Sequence, residues 1–256
     1  MTRAFTHISH GIARIGNARC ERHWSAFMGG VAEFRQVFPG KGYVEWIETP
    51  GEDLELALSG VDGPTPEWGA PEWSETCSAT GAALAVRRRF GPLVVTSRVT
   101  APHELPGLFR EITLLNTGSA PVPVARLALE RLPLRRDGAG VLTEGPALRA
   151  VAASGVLAPC GAVAAELGGL GGLGILLGME AGGRFELFDP DPAHCALVCA
   201  DPPTLQPAVP WTAPATFCLF YLGAVELCVQ RELAAMLAAL RGMRRESARD
   251  TGDAAE

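Results

Sequence analysis

Glu67, Trp68, Glu72 and Trp73 crowd one short segment, Pro64-Thr-Pro-Glu-Trp-Gly-Ala-Pro-Glu-Trp73. Indole faces stack on the apolar faces of sugar rings, and carboxylates accept hydrogen bonds from sugar hydroxyls. The same residues also fit a proline-pinned loop whose indoles cover a sheet edge. His103 stands beside Glu104 in the kinked stretch Ala101-Pro-His-Glu-Leu-Pro106. Together Trp68, Trp73, Glu67, Glu72 and His103 form the candidate carbohydrate-binding set. No residue is assigned a catalytic role.

Other chemistry-bearing residues read as structure. Glu45, Glu48, Glu52, Asp53 and Glu55 lie close in sequence. Glycoside hydrolysis needs two carboxylates at a fixed separation, but the alternation here predicts a solvated strand face and loop. His194-Cys195 with Cys199 lacks the second paired cluster that a zinc site uses, so no metal is expected, nor any other cofactor. Gly168 to Gly174 has no Gly-Lys-Ser/Thr and reads as a hairpin turn rather than a phosphate loop. Arg87-Arg88-Arg89 is the strongest basic patch and reads as a solvated strand or hairpin rim. The formal charge of −6 argues against a nucleic-acid partner.

The elements that must position these residues are short strands. In Asp53 to Leu58, Leu54, Leu56 and Leu58 repeat with period two, the mark of a half-buried strand. Ala83 to Phe90 and Leu93 to Val99 flank Gly91-Pro92 and predict a hairpin. Leu108, Arg110, Ile112 and Leu114 share one face of the next strand. Asn116-Thr117-Gly118 then predicts a tight return into Val122 to Leu129. Ala162 to Leu167, Leu173 to Met179 and Thr216 to Leu222 read as strands, with Arg184 to Phe188 pairing back onto Leu173 to Met179 across Gly182-Gly183. Leu233, Met236, Leu237 and Leu240 recur at helical spacing and predict one closing helix over 225–243. The polar residues 244–256 are expected to be disordered.

The 256 residues are 48% hydrophobic and 20% charged, a globular composition. Seven scattered cysteines do not form a disulfide framework. No apolar run follows the basic N-terminus, and no uninterrupted apolar stretch reaches spanning length. A cytoplasmic protein without membrane association is expected.

Three stretches carry a family resemblance: Ile15-Gly-Asn-Ala-Arg-Cys-Glu-Arg-His-Trp24; Thr96 to Leu129, with Phe109-Arg-Glu-Ile-Thr-Leu-Leu-Asn-Thr-Gly118 and Pro121-Val-Pro-Val124; and Leu176-Leu-Gly-Met-Glu180 through the Pro-rich 202–214 to Phe217–Leu222 and the closing helix. In this order they resemble the N-terminal β-supersandwich domain of melibiase-type α-galactosidases, within the galactose-mutarotase-like fold. The resemblance implies an all-β, large two-sheet antiparallel supersandwich with one C-terminal α-helix, a single domain over 1–243. In that family a catalytic (β/α)8 barrel follows this domain, and no residues after Met243 would form one. The family's glycosidase activity is therefore not carried over. The expected function is a carbohydrate-associated, non-catalytic domain that binds a sugar or a protein partner on a concave sheet face. The alternatives are a mutarotase- or epimerase-like sugar enzyme using His103 or His194, and a structural subunit that self-associates or partners a separate hydrolase barrel.

Overall fold

Period-two patterning and glycine or proline punctuation dominate the chain, and the computed structural model is correspondingly built of antiparallel strands. It describes residues 3–60, 66–133, 140–143, 162–167, 172–179, 183–188, 194–223, 225–239 and 242. The opening strands are β1 (Phe5–Ser9), β2 (Ile12–Gly16), β3 (Cys20–Ser25), β4 (Val31–Phe38) and β5 (Gly42–Glu45). They form a meander, each pairing with the next. After β6 (Glu55–Leu58) come the long strands β7 (Glu72–Cys77), β8 (Gly81–Phe90), β9 (Leu93–Pro102), β10 (Gly107–Asn116) and β11 (Val122–Pro133). The remainder are β12 (Gly140–Thr143), β13 (Ala162–Leu167), β14 (Leu173–Met179), β15 (Gly183–Phe188), β16 (His194–Cys199), β17 (Thr204–Leu205), β18 (Pro210–Thr212) and β19 (Thr216–Leu222).

A nine-stranded sheet runs β12-β13-β14-β19-β10-β9-β8-β7, with β18 extending the β10 edge beyond β19. A five-stranded sheet runs β15-β16-β11-β17, with β6 also on β11. Both five-stranded sheets pack on the same face of the large sheet. Phe220 of β19 meets Phe34 of β4 edge-on with centroids 4.9 Å apart, while Thr216, on the same face of β19, bonds Glu130 of β11. The expected supersandwich is present, with one of its two layers divided into two sheets.

Several elements follow their sequence signals closely. The β8–β9 hairpin turns at Gly91, whose φ of 57° suits glycine. The segments read as β13 and β19 have the expected bounds. Glu166 and Leu167 pair with Gly174 and Leu173, so the Gly-rich run connects a hairpin. Two pairings differ. β10 and β11 do not form a hairpin, because β10 is already flanked by β9 on one side and β19 and β18 on the other. Asn116 instead builds a corner between sheets: its side-chain amide donates to Ala120 and Leu205 carbonyls, and its oxygen accepts from Gly118 N–H. Likewise β15 pairs with β16 rather than β14, whose neighbours are β13 and β19.

The closing helix begins as α1 (Val225–Cys228), passes through a π-helical turn over Val229–Leu233, and continues to residue 239. Leu233, Met236 and Leu237 are buried as their spacing predicts. Leu240 and the tail 244–256 lie outside the described residues. No helix among the described residues is long and apolar enough to cross a membrane.

Gly107 shows where this helix docks. A methyl there would strike the Cys218 carbonyl of β19 and the Met236 side chain. Leu108, Ile112 and Leu114 belong to the inter-sheet core, so the helix covers the opposite face of β10. Gly107→Ala is expected to destabilise the fold by ~1–3 kcal/mol through overpacking, read as a lower urea midpoint. An unchanged midpoint would contradict this docking.

Candidate functional site

Arg110 is the one charge in the apolar stripe of β10, and it is 4% exposed. Around it gather Arg22 of β3, Glu130 of β11 and Asp53 of the segment before β6, all buried. Arg22 grips Glu130 with both terminal nitrogens, at 3.1 and 2.8 Å, and reaches Asp53 at 2.5 Å. Arg110 donates to Asp53 Oδ1 at 3.1 Å and Glu130 Oε2 at 3.3 Å. It also donates to the Asp53 and Leu129 carbonyls and to Ser97 Oγ. Trp24 Nε1 donates to Asp53 Oδ2 at 2.8 Å, and Thr216 Oγ1 to Glu130 Oε1 at 3.4 Å. The Arg22 guanidinium also lies 5.0 and 5.2 Å from the Trp24 and Phe34 rings, a cation–π arrangement.

Burying a lone ion costs several kcal/mol, so such a group survives only when its partners saturate it. Here two guanidiniums meet two carboxylates and the cluster is neutral. Burial alone would raise the Asp53 pKa, but Arg110 and Arg22 outweigh it and hold the carboxyl below its usual range. Burial likewise opposes the Arg22 charge, yet Glu130 and Asp53 hold the guanidinium more firmly protonated than usual. All four carboxylate oxygens are occupied. The space between this cluster and Trp68, Arg88 and Gly29 is only about 10 Å³, the size of a single water at most. The cluster is therefore scaffold, not an acid–base pair facing a substrate.

This corrects the expectation that Asp53 lies on a solvated face. Glu52, Glu45 and Glu55 are only partly buried but also have partners. Glu52 pairs bidentately with Arg88 at 2.9 and 3.2 Å. Glu45 accepts backbone N–H from Phe34 and Ile47, and Glu55 pairs with Arg126. Among the described residues no group of three or more His, Cys, Asp or Glu side chains is placed to hold a metal; the His194 and Cys195 side chains lie outside them.

The proposed sugar-contact residues divide by location. Trp68 bridges to Phe90 and packs on its ring at 4.7 Å. The Arg88 guanidinium lies 4.6 Å from the Trp68 ring centroid, held there by Glu52 and by the Gly69 carbonyl. Trp73 in β7 donates its indole N–H to the Ala26 carbonyl and sits 6.1 Å from Trp24. Both indoles thus pack against the core. Glu67 is exposed. Glu72 is exposed too and lies 3.5 Å from Arg87. His103 Nδ1 accepts the Ala4 N–H at 2.9 Å. His103 lies beside Pro102, which pairs with Gly81, whereas Glu72 pairs with Arg87 farther along β8. At ~3.3 Å per residue, the two ends are about 20 Å apart, so His103 is not part of the same site.

Gly69, Ala70 and Glu72 meet Arg87, Arg88, Arg89 and Val94 around an open cleft of about 290 Å³. The Gly69 N–H pairs with the Arg89 carbonyl and Glu72 pairs with Arg87, so the chain between them bows out from β8. Arg88 turns inward as the solvated-rim expectation did not anticipate, while Arg87 and Arg89 remain exposed as it did.

No family model and no curated protein matches the sequence. Solved structures do match in fold. The GH36 α-galactosidase AgaB of Geobacillus stearothermophilus superposes with a TM-score of 0.57 at 10% identity, over 86% of this chain and 41% of the enzyme. The galactosidase domain of the α-galactosidase–sucrose kinase AgaSK gives 0.53 at 11% identity, over 85% and 41%. AgaA from the same Geobacillus species gives 0.52 at 11%, over 87% and 41%. The chain has the galactose-mutarotase-like supersandwich fold found in these α-galactosidases. The likeness is one of fold, and the chain spans about two fifths of the length of each.

Removing the Asp53 charge leaves two buried guanidiniums undercompensated. Asp53→Asn is expected to cost ~3–5 kcal/mol at neutral pH. Because the folded pKa is depressed, this stabilisation is complete above the unfolded value of ~3.9 and is lost as pH falls through the folded one. The gap between urea titrations of the two proteins should therefore begin to narrow below about pH 4 and close only below the depressed folded pKa. A gap that stays constant down to pH 2 would contradict the assignment.

Proposed function

We propose that the chain is a carbohydrate-associated domain with no catalysis of its own, taking a sugar in the cleft between the 69–72 segment and β8. The observation that carries this reading is the cleft itself, which sets a carboxylate beside guanidiniums at an open mouth. Its volume is near the low end of small-ligand pockets, ~300 Å³, and suits one or two sugar rings. Glu72 accepts from hydroxyls, and Arg87 donates to ring or hydroxyl oxygens. From the cleft a polar row crosses the outer face of the large sheet: Glu72, Arg87, Thr96, Thr113 and Thr212 stand opposite one another on successive strands. This row extends the supply of hydroxyl partners beyond the cleft. In this reading Trp68 supports the floor of the site through Arg88 rather than stacking on the ligand. The shared fold with α-galactosidase domains supplies the carbohydrate context.

The non-catalytic part rests on the saturated state of the buried carboxylates. A panel of neutral and acidic mono- and disaccharides, titrated by calorimetry, tests the proposal. Saturable binding to at least one sugar is expected. Ala70→Trp, which fills the cleft from an exposed position, should abolish it. Glu72→Ala should weaken it ~10-fold, the loss of a charge-assisted hydrogen bond. Absence of binding across the panel, or binding indifferent to Ala70→Trp, would overturn the proposal.

A further inference from the structure

The charges around the cleft do not balance. Arg88 is neutralised by Glu52, and its side chain is 10% exposed. Arg87 has only Glu72, at 3.5 Å with the two side chains 57% and 75% exposed, a weak, solvent-screened contact. Arg89 has no carboxylate within ion-pair distance among the described residues. Arg87 and Arg89 are alternate residues of β8, so they project from the same outer face about 6.6 Å apart. On the neighbouring strand Arg98 stands opposite Ala85 and Glu111, so a carboxylate faces its charge and the unbalanced charge is that of Arg87 and Arg89. The Arg87 and Arg89 pair sits on a chain whose formal charge is −6, so it opposes the overall field.

We infer that the cleft selects an acidic sugar, with the carboxylate of a uronic acid held between Arg87 and Arg89. The inference rests on the sugar-binding reading above. Two long arginine side chains rooted at this backbone spacing can converge on one planar carboxylate, each donating to one oxygen, and guanidinium geometry matches that group. Glu72, on the far side of Arg87 from Thr96, accepts from the sugar's hydroxyls and repels a ligand turned the wrong way round.

Calorimetric titration of the intact chain with galacturonate, glucuronate, galactose, glucose and inorganic sulfate tests this. The expected result is saturable binding of a uronate at least 10-fold tighter than its neutral parent, weakening as salt rises. Arg89→Gln should reduce uronate affinity at least 5-fold and leave the weaker galactose or glucose binding unchanged, whereas Arg87→Gln should weaken uronate and neutral sugars alike. Both side chains are exposed, so thermal melting should confirm intact folds. Equal affinity for uronate and neutral parent would overturn the inference while leaving the sugar-binding proposal standing. Sulfate binding as tightly as the uronate would overturn it in favour of a bare-anion site. No binding by any probe would remove both.

Discussion

The structure depends on one neutral group of four buried charges, Arg22, Asp53, Arg110 and Glu130. Arg22 comes from the N-terminal meander, Arg110 from the nine-stranded sheet and Glu130 from the third sheet, so the cluster ties all three together. A one-residue slip in any of these strands would turn its charge to the other face and strand the remainder unpaired in the core. Apolar side chains would supply comparable burial without that penalty. The ionic cluster instead makes one register strongly preferable, which is a constraint on specificity more than a source of stability.

That constraint also bears on where the proposed sugar site lies. Carboxylates committed to guanidiniums in the core are unavailable for proton transfer. Trp68 and Trp73 contribute to closing the core: one underlies Arg88, and the other is tied to the meander through Ala26. Among the described residues, an open cleft lies at the edge of the large sheet, where the 69–72 segment bows away from β8. Arg88 joins the two regions. It lines both the open cleft and the small space above Asp53 and Arg110, so the wall of the cleft is braced by the same packing that seals the charge cluster.

Local structure was largely legible in the sequence. Gly91-Pro92 marked its hairpin, and the strands at Ala162–Leu167 and Thr216–Leu222 begin and end at the expected residues. Pairing that depends on distant segments was not legible. Asn116 looked like a hairpin turn because its neighbours fit one, but β19 and β18 arrive a hundred residues later to occupy that side of β10. The charge cluster left one trace: Arg110 sits among Leu108, Ile112 and Leu114 on the core face. Asp53 was hidden inside an acidic stretch whose local density suggests solvent, and its partners come from three separate strands. For the candidate site, the Trp68 and Trp73 indoles pack against the core, while Glu67 and Glu72 stay exposed, Glu72 beside Arg87 of β8.

The fold likeness to α-galactosidase domains is compatible with either a buried or an edge site, so the location of binding distinguishes the two. The most direct measurement is a galacturonate titration followed by backbone amide chemical shifts. Binding in the cleft predicts shifts concentrated at Gly69, Ala70, Glu72, Arg87, Arg88, Arg89 and Val94, with Arg22, Asp53 and Glu130 unmoved. Largest shifts at the buried cluster, with the β7–β8 edge silent, would contradict it.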